Sequence, residues 1–406
     1  MELRKSLLTL VVFLCLAVGR GFSADIEELK RSVEEIGRLE FVRDVPVRYL
    51  DRAALKSYIE RLFEEDYPDE LAGREEEFLY WMGFTREKIA LKPLRHAIIL
   101  ENVGGMYNEK TKELLAVEEF RRVDMLNAPA LAHELRHAVQ DQHFPLAALL
   151  GDLSDFDDRK LAALAAVEGD ATLVMVEQMG FDPDLLSGAF SPENLLSFSA
   201  LAGATTLASA PDVVKFQLLM PYLEGLKFSR AIVKERKWKG LNQVLGQKPL
   251  SSEQILHPRK YISGEKPQAV FTRFRPVRGE LFHSGVIGEY YLNVLLKQGL
   301  EIKDAAAGWG GDLFTLYRDN DSRLLLWESH WDTPQDGSRF HADFRRFLER
   351  EFRVNFKDGR EQGRPFIAGN STAGYFFLLR DGARLFYARS NDRERINELI
   401  SGGIYD

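Results

Sequence analysis

The chain has one cysteine, Cys15, in 406 residues, so no internal disulfide can brace it. A small disulfide-stapled scaffold is excluded, and an apolar core must hold the fold. Also missing is an apolar run of the roughly 20 residues that crossing a bilayer takes. The longest, Leu7 to Gly19, follows Arg4 and Lys5 and precedes the small residues Gly21, Ser23 and Ala24. That is the layout of a secretory leader over residues 1–24, removed on export, rather than of a transmembrane anchor. Its removal takes Cys15 away and leaves 51 Lys+Arg against 61 Asp+Glu, a net −10 where the whole chain has −8. No basic block stands out from this acidic background, which argues against a nucleic-acid partner. There is no internal repeat and no low-complexity tract, and 45% hydrophobic residues argue against disorder.

What is present reads as α+β. "VPVRYL" (45–50) has strand character, and Asp51 is placed to cap a helix whose Leu55, Tyr58, Ile59, Leu62 and Phe63 recur at helical spacing. A further helix is expected over 69–82. Residues 96–120 hold two apolar segments around the polar turn "NEKTK", the pattern of a β-hairpin. Residues 159–179 read as an alanine-rich helix, and Ser251-x-x-Gln254 as a capping box on a short helix stopped at Pro258. Near the end, Asp381-Gly382 suits a hairpin turn. The division expected is 1–24 leader, 25–265 first domain and 266–406 an α+β C-terminal region.

Eight histidines serve the whole chain, yet three fall in "LNAPALAHELRHAVQDQHF" (126–144). Asn127 and Pro129 suit a helix start. On that helix Leu131, Leu135, Ala138 and Val139 form an apolar stripe, while His133 and His137, one turn apart, share another face. Two imidazoles so spaced can grip one zinc ion. Glu134, about 100° round from His133, can reach a water beside it.

A zinc site needs a third ligand. His143 has the spacing of a metzincin's third histidine, but Gln140 stands where that pattern needs a turning glycine. If the helix continues, His143 lies about 240° from His137, on the wrong face. Glu168 is the expected ligand, with His143 as the alternative. It shares a helix face with Leu161, Leu164, Ala165, Ala171, Thr172 and Met175, where an uncompensated carboxylate would cost several kcal/mol to bury.

His-Glu-x-x-His followed by a glutamate on a later helix resembles the gluzincin branch of the zinc metallopeptidases. "AHELRHAVQDQH", "VEGDAT", "GGMYNEKTKEL" and "SSEQILHPRKY" are similar to wording in exported bacterial zincin-like proteins, over roughly residues 45–265. The resemblance implies a helix-rich zincin-like domain in which the two ligand helices pack beneath a small sheet, whose edge strand binds substrate. It implies a Zn2+ cofactor, a peptide or protein substrate, and Glu134 as general base. His257 or Tyr261 is the candidate donor to the oxyanion. The strand around Val103–Tyr107 is the candidate for pairing with an extended peptide. Two departures stand out. Glu168 follows His137 by 31 residues, longer than the usual gluzincin spacing, and Thr172 sits where some members place an aspartate that orients a ligand histidine. The rival class is a non-catalytic envelope binding or scaffold protein with this fold. A third option, hydrolysis of a non-peptide amide, shares the chemistry.

Overall fold

The computed structural model describes residues 23–102, 104–151, 153–182, 194, 205–272, 276, 278–297, 304–361 and 364–401. The expected leader lies outside them except for Ser23–Ala24, a short strand (β1) antiparallel to Val123–Asp124 (β5). Among the described residues no helix is long and apolar enough to cross a membrane.

The architecture is mixed α+β. Helices α1 (Ile26–Gly37), α2 (Arg52–Asp66), α3 (Asp69–Met82), α4 (Leu91–Asn102), α5 (Ala128–His143), α6 (Leu146–Leu150) and α7 (Asp158–Gln178) make up the first half. With them goes a small three-stranded sheet in the order β2 (Val47–Leu50), β4 (Glu113–Val117), β3 (Gly105–Asn108). The Asp51 cap is there: its carboxylate accepts the Ala54 N–H at 2.8 Å. The hairpin is real but shorter than the sequence pattern suggests, because residues 96–102 belong to α4. Leu91, Arg95 and Ile98 recur at i, i+4, i+7 and are all buried, a helical stripe that the charge on Arg95 disguises. Arg95 is compensated by Asp155 and Gln217. The capping box at Ser251 is absent. Gln254 accepts the Leu250 N–H instead, and Asp158 accepts that of Ser252. The short helix, Ser252–Leu256, does stop before Pro258, which opens the next helix, Pro258–Ser263.

The second half combines helices Gly288–Lys297, Pro334–Glu351 and Arg393–Ser401 with one antiparallel sheet in the order β6 (Glu280–Gly285), β7 (Trp309–Asp319), β8 (Ser322–Trp331), β12 (Arg384–Ser390), β11 (Gly374–Asp381), β10 (Arg364–Ser371), β9 (Asn355–Glu361). Trp309 begins β7 and packs in the core, as do Trp327 and Trp331 of β8. The principal apolar cluster ignores the 265/266 boundary, running from Phe63 and Phe78 through Leu161 and Leu226 to Trp327 and Tyr387. Arg389 of β12 is fully buried and donates to the carbonyls of Tyr80 and Trp81 on α3 and to that of Ala373. The rings of Phe352, Trp81 and Tyr80 surround its guanidinium at 4.3, 4.9 and 5.1 Å.

His283 on β6 sits at the same junction, against Phe78 and Phe314, and its Nε2 has no hydrogen-bond partner among the described residues. Burial, aided by Arg74, pulls its pKa down to about 4. The unfolded chain therefore binds this proton first, near pH 6.5, and the folded chain only near pH 4. Stability is expected to hold above pH 6.5 and to fall by about 3 kcal/mol, on this residue's account, as pH drops to 4. Urea midpoints measured across that window should flatten by this amount in His283→Leu. An unchanged slope would refute it.

Candidate metal centre

Asn127 and Pro129 start α5 as expected, and its stripe of Leu131, Leu135, Ala138 and Val139 packs into a core cluster. The opposite face is not solvated either. His133, Glu134 and His137 are at most 1% exposed, because α7 lies along that side with Glu168, also 1% exposed. The α7 backbone is in turn crossed closely by helix Asp212–Val244. A Cβ built on Gly169 would run into the Gly225 backbone, and one on Gly225 into the Ala165 carbonyl.

Three donor atoms converge in this space. Nε2 of His133 stands 3.1 Å from Nε2 of His137 and 3.1 Å from Oε2 of Glu168, and His137 Nε2 is 3.4 Å from that same oxygen. Ligands held about 2.0–2.1 Å from a tetrahedral zinc ion stand about 3.3–3.4 Å from one another, so the triangle has the size of one face of such a site. Gln140, one turn beyond His137, fixes that ring. Its Nε2 donates to Val167 O and Asp170 Oδ2, so its Oε1 must accept from His137 Nδ1, 2.8 Å away. The lone pair of a neutral His137 then faces the triangle.

Charge in the cluster follows the same geometry. Burial lowers His133, leaving it neutral. Burial also works against protonated His137, but Glu168 overrides it and raises the pKa to about 9. Burial would raise Glu168, yet the two imidazoles hold it down to about 2. A proton shared by histidine and carboxylate thus stands in for a cation, and any metal must displace it. Burial pushes Glu134 up to about 7, against the pull of His137 and of the Tyr107 N–H. That N–H, on edge strand β3, donates to Glu134 Oε2 at 2.6 Å, while Oε1 has no hydrogen-bond partner among the described residues. Tyr107 is clamped a second time by its hydroxyl, which donates to Asp141.

Other expected residues are placed elsewhere. His143 is exposed, with Nε2 2.9 Å from the Glu40 carbonyl, because α5 runs unbroken through Gln140. His257 pairs with Glu289 at 3.0 Å and the Tyr261 hydroxyl donates to Gln247 O at 2.8 Å. Neither is hydrogen-bonded to the cluster. Tyr222 of helix Asp212–Val244 lies over His133 instead, ring centroids 6.0 Å apart and near parallel. Val103 is outside the described residues. The residue that orients His137 is Gln140, whose i+3 spacing from it was visible in the sequence. Tyr222, 89 residues from its partner His133, gave no local signal. A second acidic group, Glu253, Glu265 and Asp332, closes around the Lys260 ammonium, which already fills its centre.

Residues 275–399 match a family described as "Domain of unknown function (DUF8575)". The match covers most of the second half and lies outside the cluster. No curated protein and no solved structure matches the chain.

Proposed function

We propose that this protein is a zinc-dependent metallopeptidase of zincin-like fold, acting after export, with His133, His137 and Glu168 as ligands and Glu134 as general base. One observation carries the reading: three buried donors from two helices, 3.1–3.4 Å apart, beside a buried carboxylate with an uncommitted oxygen. The donor set, two imidazoles and one carboxylate, leaves a fourth position free, as catalytic zinc sites do. Bound there, zinc would acidify a water molecule and polarise a substrate carbonyl.

The remaining work falls to the chain. Glu134, buried beside the ligands with one oxygen uncommitted, is suited both to take a proton from water and to pass it to a leaving amine. The Tyr107 N–H holds the carboxylate by one oxygen and leaves Oε1 for that task. Gln140 keeps the His137 ring turned toward the ligand position, and Asp170 anchors Gln140. Tyr222, whose ring lies over that of His133, walls that side, while His257 and Tyr261 are bonded elsewhere.

One observation favours the binding or scaffold reading. The outward N–H of Tyr107, which an extended peptide would meet on the strand edge, is already taken by Glu134. Zinc titration and a broad peptide mixture separate the two. Expected are about one zinc per chain, cleavage of some peptides, loss with chelator and recovery on adding zinc back. Tight zinc with no cleavage of any peptide would favour the scaffold.

A further inference from the structure

Helix Asp212–Val244 is broken at Lys237, whose φ of 59° and ψ of 179° form a backbone conformation that is essentially glycine's. Strain of this kind survives only where the surroundings enforce it, and it gathers at ligand clamps. Here the C-terminus of α1 comes alongside. Arg38, itself at φ 51°, follows the helix, and Asn242 Nδ2 donates to the carbonyls of Gly37 and Arg38 at 3.0 and 2.9 Å. Between them lies a cavity of about 440 Å³ lined by Arg38, Lys237, Trp238, Lys239, Asn242 and Gln243.

Its chemistry is one-sided: three cations, two amides and an indole, with no carboxylate among the described residues that line it, on a chain of net charge −8. None of the three cations has an ion-pair partner among the described residues, whereas nearby Lys227 is paired with Glu224. Behind the wall lies Arg136, fully buried, its guanidinium 5.7 Å from the Trp238 ring and its Nη2 2.6 Å from Asn242 Oδ1. Its Nη1 has no hydrogen-bond partner among the described residues. The sequence hides this site, because Glu235 interrupts the run Lys234–Lys239 and Arg38 arrives from two hundred positions away.

We propose that this cavity is a binding site for a small phosphate-bearing ligand with two or more negative charges. Lys237, Lys239 and Arg38 neutralise the charge, while Gln243 offers an amide donor to the remaining oxygens and Asn242, bonded to both walls, holds them in place. The proposal does not depend on the peptidase reading, although Arg136 joins Asn242 to Asp170, which anchors Gln140 beside His137.

The test uses the full chain at low ionic strength, titrated with inorganic pyrophosphate and followed by calorimetry and tryptophan fluorescence. One equivalent should bind, and Lys237→Ala/Lys239→Ala should weaken the dissociation constant at least tenfold. Asn242→Asp, which puts a carboxylate into the wall, should do the same. Circular dichroism and melting temperature check that each variant is folded. Should a double variant fail to fold, Arg38→Ala alone should still weaken binding severalfold. Pyrophosphate binding that is absent, or equal in wild type and variants, overturns the proposal. So does affinity only for phosphatidylglycerol vesicles, which would assign the patch to a lipid surface.

Discussion

Glu134→Gln is expected to keep about one zinc per chain while peptide hydrolysis falls by about 10²–10⁴-fold, the range for losing a positioned general base. The substitution is nearly isosteric, and the glutamine oxygen can still accept the Tyr107 N–H, so the β3–α5 contact survives. What disappears is an oxygen able to carry a proton between water and leaving group. Removing an ionisable group from full burial should cost the fold nothing. The variant's melting temperature should therefore match or exceed that of the parent. Turnover and zinc content measured on one preparation decide the matter. Activity within tenfold of the parent would mean that the proton acceptor is some other residue.

The largest stability effect is expected at the crossing of α7 with helix Asp212–Val244. Gly169 and Gly225 face each other there with no room for a Cβ, since the obstructing atoms are backbone and cannot rotate away. Gly225→Ala must push the helices apart, at about 3 kcal/mol, the upper part of the usual overpacking range. The displacement acts one residue from Glu168 and one turn from Tyr222, so zinc affinity should drop together with the urea midpoint. Gly73 of α3 is the control. Nothing lies within 4 Å of its added Cβ, and Gly73→Ala should leave the protein slightly more stable. If Gly225→Ala cost no more than a few tenths of a kcal/mol, the close crossing would be wrong.

How far the sequence spoke for this centre depends on the range of each interaction. His133 and His137 are one helical turn apart, and Glu168 betrayed itself as a carboxylate in an apolar stripe. Both signals are local, and the structure brings the three side chains together. Strand 47–50, the Asp51 cap, the helix over 69–82 and the Asp381–Gly382 turn were local in the same sense. Misreadings arose where two periods compete in a short apolar run, as at residues 96–102, which were read as strand and are helix. They arose too where a tertiary partner outbid a local one. Asp158 rather than Ser251 caps the helix at Ser252, and Glu289 rather than the centre holds His257. The order of the seven-stranded sheet, with β12 beside β8, rests on pairings across some sixty residues that no local pattern encodes.

Arg389 gives the second half a dependence that its family match does not display. Its Nη1 is satisfied by two carbonyls of α3, far outside residues 275–399. Excised from this chain, the region would bury a cation short of acceptors or else splay open to hydrate it. Portability into another protein is therefore conditional: a new host must present paired carbonyls and an aromatic lid where Tyr80 and Trp81 stand here.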